Sequence, residues 1–331
     1  MEDIEIMNSL LIFKQNRGRR TNTLIGYKED LTILFGEMSK LLNTTGIENI
    51  VKKLNVQFCM DFFDSLNKNI PTERKRFKID RQYAARSLNK KMSMMKEMLN
   101  HCVRLGIINN NPLQMNECYA VEKTEKVCLT LEEINKLCYQ VQIENVKGRK
   151  NQSYLKLRDE LIYKLLFTTG LRFSEMYYIQ LDWIEEYRDH AFINIPAAYV
   201  KNKIDKRVPI TGQLIGLYRD YMDERSKMNI KEGSENYLFL SANGRKINKN
   251  HDNDFNTSLR KRAELAGIKK HITIHGFRHS FSTETNLQGK DKVLINAVGG
   301  WEKGNGIAFN TYCSKNNTSM DQAKLECCSI L

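Results

Sequence analysis

Residues 275–283 read HGFRHSFST, which sets Arg278 between His275 and His279 in a chain with only six histidines. Histidines four apart share a helix face, the spacing by which zinc proteases hold their metal, but those enzymes need a glutamate directly after the first histidine. Here that position is Gly276. The other chemistry open to such a cluster is anion handling, in which imidazole and guanidinium converge on a phosphate. A second guanidinium, Arg172, stands in TTGLRFSEM just after a glycine, and Glu175 lies one helical turn on, near enough to brace it. Lysines crowd VKNKIDKRVPI between the two arginines, and beyond Tyr237 the one tyrosine is Tyr312, in AFNTYCSKN. Each of these residues alone is commonplace; their order along the chain is what asks for an explanation.

The elements that must position them follow from pattern. In SLNKKMSMMKEMLNHCVRLG, Leu88, Met92, Met95, Leu99 and Val103 recur at helical spacing and Gly106 sits where a C-cap belongs. Residues 1–112 read as nearly all helix, closed by Pro112. A new unit starts at VCLTLEEINKL, where Thr130 and Glu133 suit a capping box. It is mixed: a helix near 157–168 ending at Gly170, another from Ser174, short strands in HAFINIP and KRVPIT with a turn between them, and a possible strand in YLFLS (237–241). Helices are expected at 212–228, 251–266, 277–287, 291–297 and about 305–314.

The net charge of +13 points to a polyanionic partner, of which nucleic acid is the commonest. The balance is spread along the chain: residues 1–120 hold 19 basic against 13 acidic side chains, which leaves +7 for the rest. The densest run, residues 72–91, carries eight Lys and Arg against two acids, and Arg74, Lys75, Arg76, Lys78, Arg81, Lys90 and Lys91 are its candidate phosphate contacts. No apolar run approaches the roughly 18 residues that span a bilayer, and the acidic MEDIEIMNSL is unlike a signal peptide. The expectation is a cytoplasmic, nucleoid-associated protein with no membrane contact. Its eight scattered cysteines fit free thiols.

The ordered boxes resemble those of a known family, the tyrosine recombinases of the phage-integrase type. TTGLRFSEM is similar to that family's TGLRxSEL box and HGFRHSFST to its HxLRHTFAT box. AVGGWEKGNGIAFNTY is similar to its last box, where a histidine or tryptophan precedes the tyrosine, although the interval from Trp301 to Tyr312 is longer than usual. TNTLIGYKEDLTILFGEM and LGIINNNPLQM resemble the start and end of its core-binding domain, so the likeness spans nearly the whole chain.

The resemblance implies a mainly α fold with a small antiparallel β-sheet, built as a two-domain DNA clamp. A helical, SAM-like core-binding domain would occupy 1–113, a linker 114–127 and the catalytic domain 128–331, with a tail, 315–331, that docks on a neighbouring subunit. Arg172 and Arg278 would hold the scissile phosphate with His275 beside them, and Trp301 would fill the place most relatives give to histidine. Tyr312 would be the nucleophile. Lys201, eight residues before Pro209, would be the general acid, with Lys203 as fallback; Glu175 and His279 would support the site.

The implied activity is site-specific recombination of duplex DNA through a covalent 3′-phosphotyrosine, integrating or excising a mobile element. A tetramer would act across two core sites with no metal and no cofactor. The chemistry agrees with the residue types. Planar arginines donate to the non-bridging oxygens where charge gathers, a lysine protonates the leaving 5′ oxygen, and tyrosine conserves the bond energy for rejoining. The rival readings are a type IB topoisomerase, which shares this chemistry, and a catalytically inactive DNA-binding factor.

Overall fold

Apolar stripes at helical spacing make both halves of the chain mainly helical, and three short antiparallel strands form the only sheet among the described residues. The computed structural model describes residues 3–122, 127–145, 150–248, 251–300 and 317–330. The chain divides into two units, Met1–Thr124 and Glu125–Leu331.

The first unit holds α1 (Asp3–Asn16), α2 (Thr21–Leu42), α3 (Ile47–Lys53), α4 (Val56–Leu66) and α5 (Ala85–Arg104). On α5, Leu88, Met95 and Leu99 are fully buried, as their spacing requires, while Cys102 takes the last core position and Val103 is only half-buried. Gly106 ends the helix in the left-handed region, φ 71°, where the Ile107 N–H reaches back to the Cys102 carbonyl. The stretch expected as a linker from 114 is fastened to this unit over its first part: Tyr119 exchanges bonds with Asn89 and donates its hydroxyl to Asp64.

The second unit begins with α6 (Leu131–Ile143), capped by the expected box, Thr130 and Glu133 each bonding the other's backbone N–H. Next come α7 (Gln152–Thr169) and α8 (Phe173–Met176). The first starts five residues before its pattern suggested, and the second is a single turn. An antiparallel sheet follows in the order β1 (Ile184–Glu186), β2 (Ala191–Ile195), β3 (Lys206–Ile210), with Ile195 opposite Lys206 and Ala191 opposite Ile210. Then come α9 (Gln213–Ser226), α10 (Asp252–Leu265), α11 (Gly276–Leu287), α12 (Lys292–Gly299) and α13 (Asn317–Cys328). The helix expected near 305–314 lies outside the described residues.

One expectation is corrected here. YLFLS is no strand; it makes only the isolated bridges Gln180–Tyr237 and Leu240–Lys246. Side chains take its carbonyls instead, Tyr221 and Arg225 at Leu238 and Tyr154 and Arg158 at Leu240. The C-terminal segment packs on its own unit: Asp321 meets Arg207 of β3 at 2.9 Å, Lys290 donates to the Glu326 carbonyl, and Cys327, Cys328 and Ile330 join the core.

Candidate active site

The site is built where α7 stops. Leucines and aromatics bury most of that helix, and Gly170 caps it at φ 60°, its N–H on the Leu166 carbonyl. The left-handed cap turns the chain so that Arg172 leads into α8. There the Glu175 carboxylate accepts from the Arg172 guanidinium at 2.6 Å and from the Arg172 backbone N–H at 3.2 Å. Glu175 is 1% exposed. Burial pushes its carboxyl up, but Lys206 and Arg172 outweigh that and hold it below the usual carboxylate range.

The second arginine arrives from α11. Phe277 and Phe281 anchor this helix in the core, Phe277 stacking on Tyr163 at 5.3 Å, and Arg278 between them is buried. Its guanidinium donates to the carbonyl of Gly170, so the two arginine boxes meet through one backbone group. Burial, then the charge of Arg172, pull Arg278 down to about 10, against the opposing pull of Glu175. Two guanidiniums this close repel each other, and a bound anion between them relieves that repulsion.

Gly170 is required twice over. A Cβ there would stand 2.5 Å from Phe281 Cδ1, and the positive φ disfavours any L side chain. Gly170→Ala is expected to lower stability by about 2 kcal/mol, roughly half from the left-handed backbone and half from crowding against a fixed ring. Denaturant titration of the two proteins checks this; an unchanged midpoint would refute it.

The other residues singled out by sequence are placed as follows. His275 is exposed at the N-terminal end of α11, and its ring meets that of half-buried His279 edge to face at 5.1 Å. Lys201 and Lys203 are exposed in the turn between β2 and β3, with Lys203 at φ 57°. Trp301 and Tyr312 lie outside the described residues. Lys206, which sequence reasoning missed, is buried beside Glu175 at 3.4 Å. Alternation along β3 was the available signal, since it places this lysine on the same face as Val208 and Ile210.

A model of the phage integrase family matches residues 128–318, more than half of the chain, and one of its SAM-like domain matches 13–121. The chain belongs to the phage integrase family. It is a tyrosine-type site-specific recombinase. Among relatives, it is 22% identical to the tyrosine recombinase XerD of Staphylococcus haemolyticus over 94% of both chains. It is 24% identical to XerC of Alcanivorax borkumensis over 60% of both.

The fold is likewise that of solved recombinases. XerH bound to a palindromic difH substrate after cleavage matches with a TM-score of 0.65 at 15% identity, covering 94% of this chain and 81% of that one. The Tn1549 transposon integrase in complex with transposon right end DNA matches with 0.63 at 17%, covering 98% and 99%. A lambda integrase tetramer bound to a Holliday junction matches with 0.62 at 12%, covering 92% and 78%.

In this integrase-family chain the basic run of residues 72–91 is not uniform. Arg74, Lys78, Arg81 and Lys90 are exposed and Lys75 is half-buried. Arg76 is exposed but paired with Asp61 at 2.5 Å. Lys91 differs from the rest. It is 6% exposed, bonded to Asp30 and set over the Tyr83 ring at 4.5 Å, so its charge serves the helical unit.

Proposed function

We propose that this recombinase cuts duplex DNA at specific core sites by attack of the Tyr312 hydroxyl on a phosphate held by Arg172 and Arg278. The observation that carries the reading is that Arg278 donates to the carbonyl of Gly170, two residues before Arg172, where the charges of Arg172 and its partner Glu175 both act on it. A bond forms between the tyrosine oxygen and phosphorus, and the bond to the 5′ oxygen breaks. The guanidiniums meet the charge gathering on the non-bridging oxygens, while Lys201 gives the leaving oxygen its proton. His275, at the entrance of α11, takes the tyrosine proton or holds the phosphate. The product is a 3′-phosphotyrosine, and the reverse step rejoins DNA to the same or another 5′ end.

Two domains, a helical core-binding one and a catalytic one joined near residues 114–127, complete the proposal, with the exposed cations of 72–91 on phosphates. A tetramer across two sites would then exchange strands to integrate or excise a mobile element in the cytoplasm. For α13 to dock on a neighbour in that assembly, its Asp321–Arg207 contact would have to open.

The test uses DNA flanking the protein's own gene, labelled at either end and incubated in EDTA without ATP. The expected result is an SDS-resistant adduct at one position, since no step in this scheme calls on a metal. It keeps a 5′ label and loses a 3′ label, because the tyrosine holds the 3′ phosphate. Tight binding without any adduct, on nicked substrates as well, would overturn the catalytic reading in favour of a binding factor.

A further inference from the structure

Alternation along β3 puts Lys206, Val208 and Ile210 on one face, and Val208 and Ile210 are wholly buried in the core of the catalytic unit. The cross-strand partner of Lys206, Ile195, is buried too. Everything about this position suits an apolar side chain, yet it holds an ammonium, 5% exposed. A local rule broken in the core without an obvious structural gain points to function.

The ammonium has a defined place. Its Nζ lies 3.4 Å from Glu175 Oε2 and 3.5 Å from the Gly299 carbonyl at the end of α12. A Cβ on Gly300 would stand 3.9 Å from it. Among the described residues, the titratable and charged groups facing it are Glu175, Arg172, Arg278 from α11 and the Cys328 thiol from α13.

Glu175 is thus shared. Its Oε1 accepts one nitrogen of the Arg172 guanidinium, and its Oε2 accepts Lys206 and the Arg172 backbone N–H. An arginine beside a carboxylate tends to close into a two-bond fork, and a fork would turn two of the nitrogens away from a phosphate.

We propose that Lys206 is a positioning residue for Arg172: by holding the second oxygen of Glu175, it limits the guanidinium to a one-nitrogen contact and leaves the other nitrogens for the scissile phosphate. The inference rests on the reading of Arg172 as a phosphate ligand. The same ammonium, bonded to the Gly299 carbonyl, also ties the end of α12 to that carboxylate.

The surroundings are consistent with a lysine that stability alone would not select. Burial pulls its pKa down to about 8; Glu175 opposes the shift, while Arg278 and Arg172 add to it. Between about 8 and the ordinary 10.5, the unfolded chain holds a proton that the folded one has lost. Wild-type stability therefore rises with pH through that window, and a variant without the lysine lacks the rise.

The experiment measures single-turnover adduct formation at saturating protein on a nicked site, together with thermal melting, for wild type, Lys206→Met, and Lys206→Met combined with Glu175→Gln. Lys206→Met is expected to melt at or above wild type at pH 7 and to cleave roughly 10- to 100-fold more slowly, the scale of a misplaced positioning contact, with DNA affinity unchanged. Adding Glu175→Gln should recover part of that loss, because a neutral amide does not clamp the arginine. A Lys206→Met protein that cleaves at the wild-type rate, loses further activity with Glu175→Gln, or fails to fold overturns the proposal and leaves the arginine site standing. No adduct from wild type removes the reading beneath it, and the proposal with it.

Discussion

Tyr312→Phe is expected to bind its DNA as tightly as the parent protein and to yield no covalent complex. The substitution keeps the ring and removes only the hydroxyl oxygen, the atom that bonds to phosphorus in the proposed scheme. Nothing else in the scheme supplies that oxygen, so the adduct rate should fall by at least about 10⁴-fold, the scale seen when a nucleophile is deleted. Affinity should stay within a few-fold, because binding rests on contacts between basic side chains and phosphates. Gel detection of the adduct beside a binding titration separates the two. Residual adduct would move the nucleophile elsewhere, and peptide mapping of the linked tyrosine would say where.

The second large effect is expected at Arg278. Lysine there keeps a positive charge but cannot both donate to the Gly170 carbonyl and meet phosphate oxygens in a plane. The surroundings that pull the guanidinium down to about 10 would act on an ammonium whose ordinary value is roughly two units lower. Arg278→Lys would therefore have the wrong shape and would begin to lose its charge at lower pH than the guanidinium does. Single-turnover cleavage should drop about 10²- to 10³-fold, as when one preorganised donor to a developing anion is lost. The defect should deepen as pH rises and the lysine sheds its proton. Cleavage within about three-fold of wild type across that range would show that Arg278 does not hold the phosphate.

Much of this architecture was legible because one face of each long helix is apolar and each stop carries its own signal. Gly106 and Gly170 mark helix ends, Thr130 and Glu133 a start, and the alternation of HAFINIP and KRVPIT a hairpin. What escaped did so for physical reasons. β1 is three residues long and only half-buried at best, too short for a period to register. YLFLS has the composition of a strand, but the tyrosine and arginine side chains that take its carbonyls come from 13 or more residues away in sequence.

The two arginines were legible by type and order, whereas their meeting at Gly170 depends on α7 and α11 packing together. Two lysines show the cost of reading charge without period. Lys91 falls three residues after Leu88, on the buried stripe of α5, and Lys206 falls on the buried face of β3. Both look like surface cations in a one-dimensional count.

The bond from Arg278 to the Gly170 carbonyl also bears on chimeras. A carbonyl has no side chain to vary, so its position is set by the glycine cap of α7, and that cap tolerates no methyl group because Phe281 of α11 fills the space. Grafting α11 from a relative with a differently shaped residue at that contact would shift both guanidiniums, even with every catalytic residue retained. Residues 166–175 and 275–285 therefore have to be exchanged together, as a single cassette.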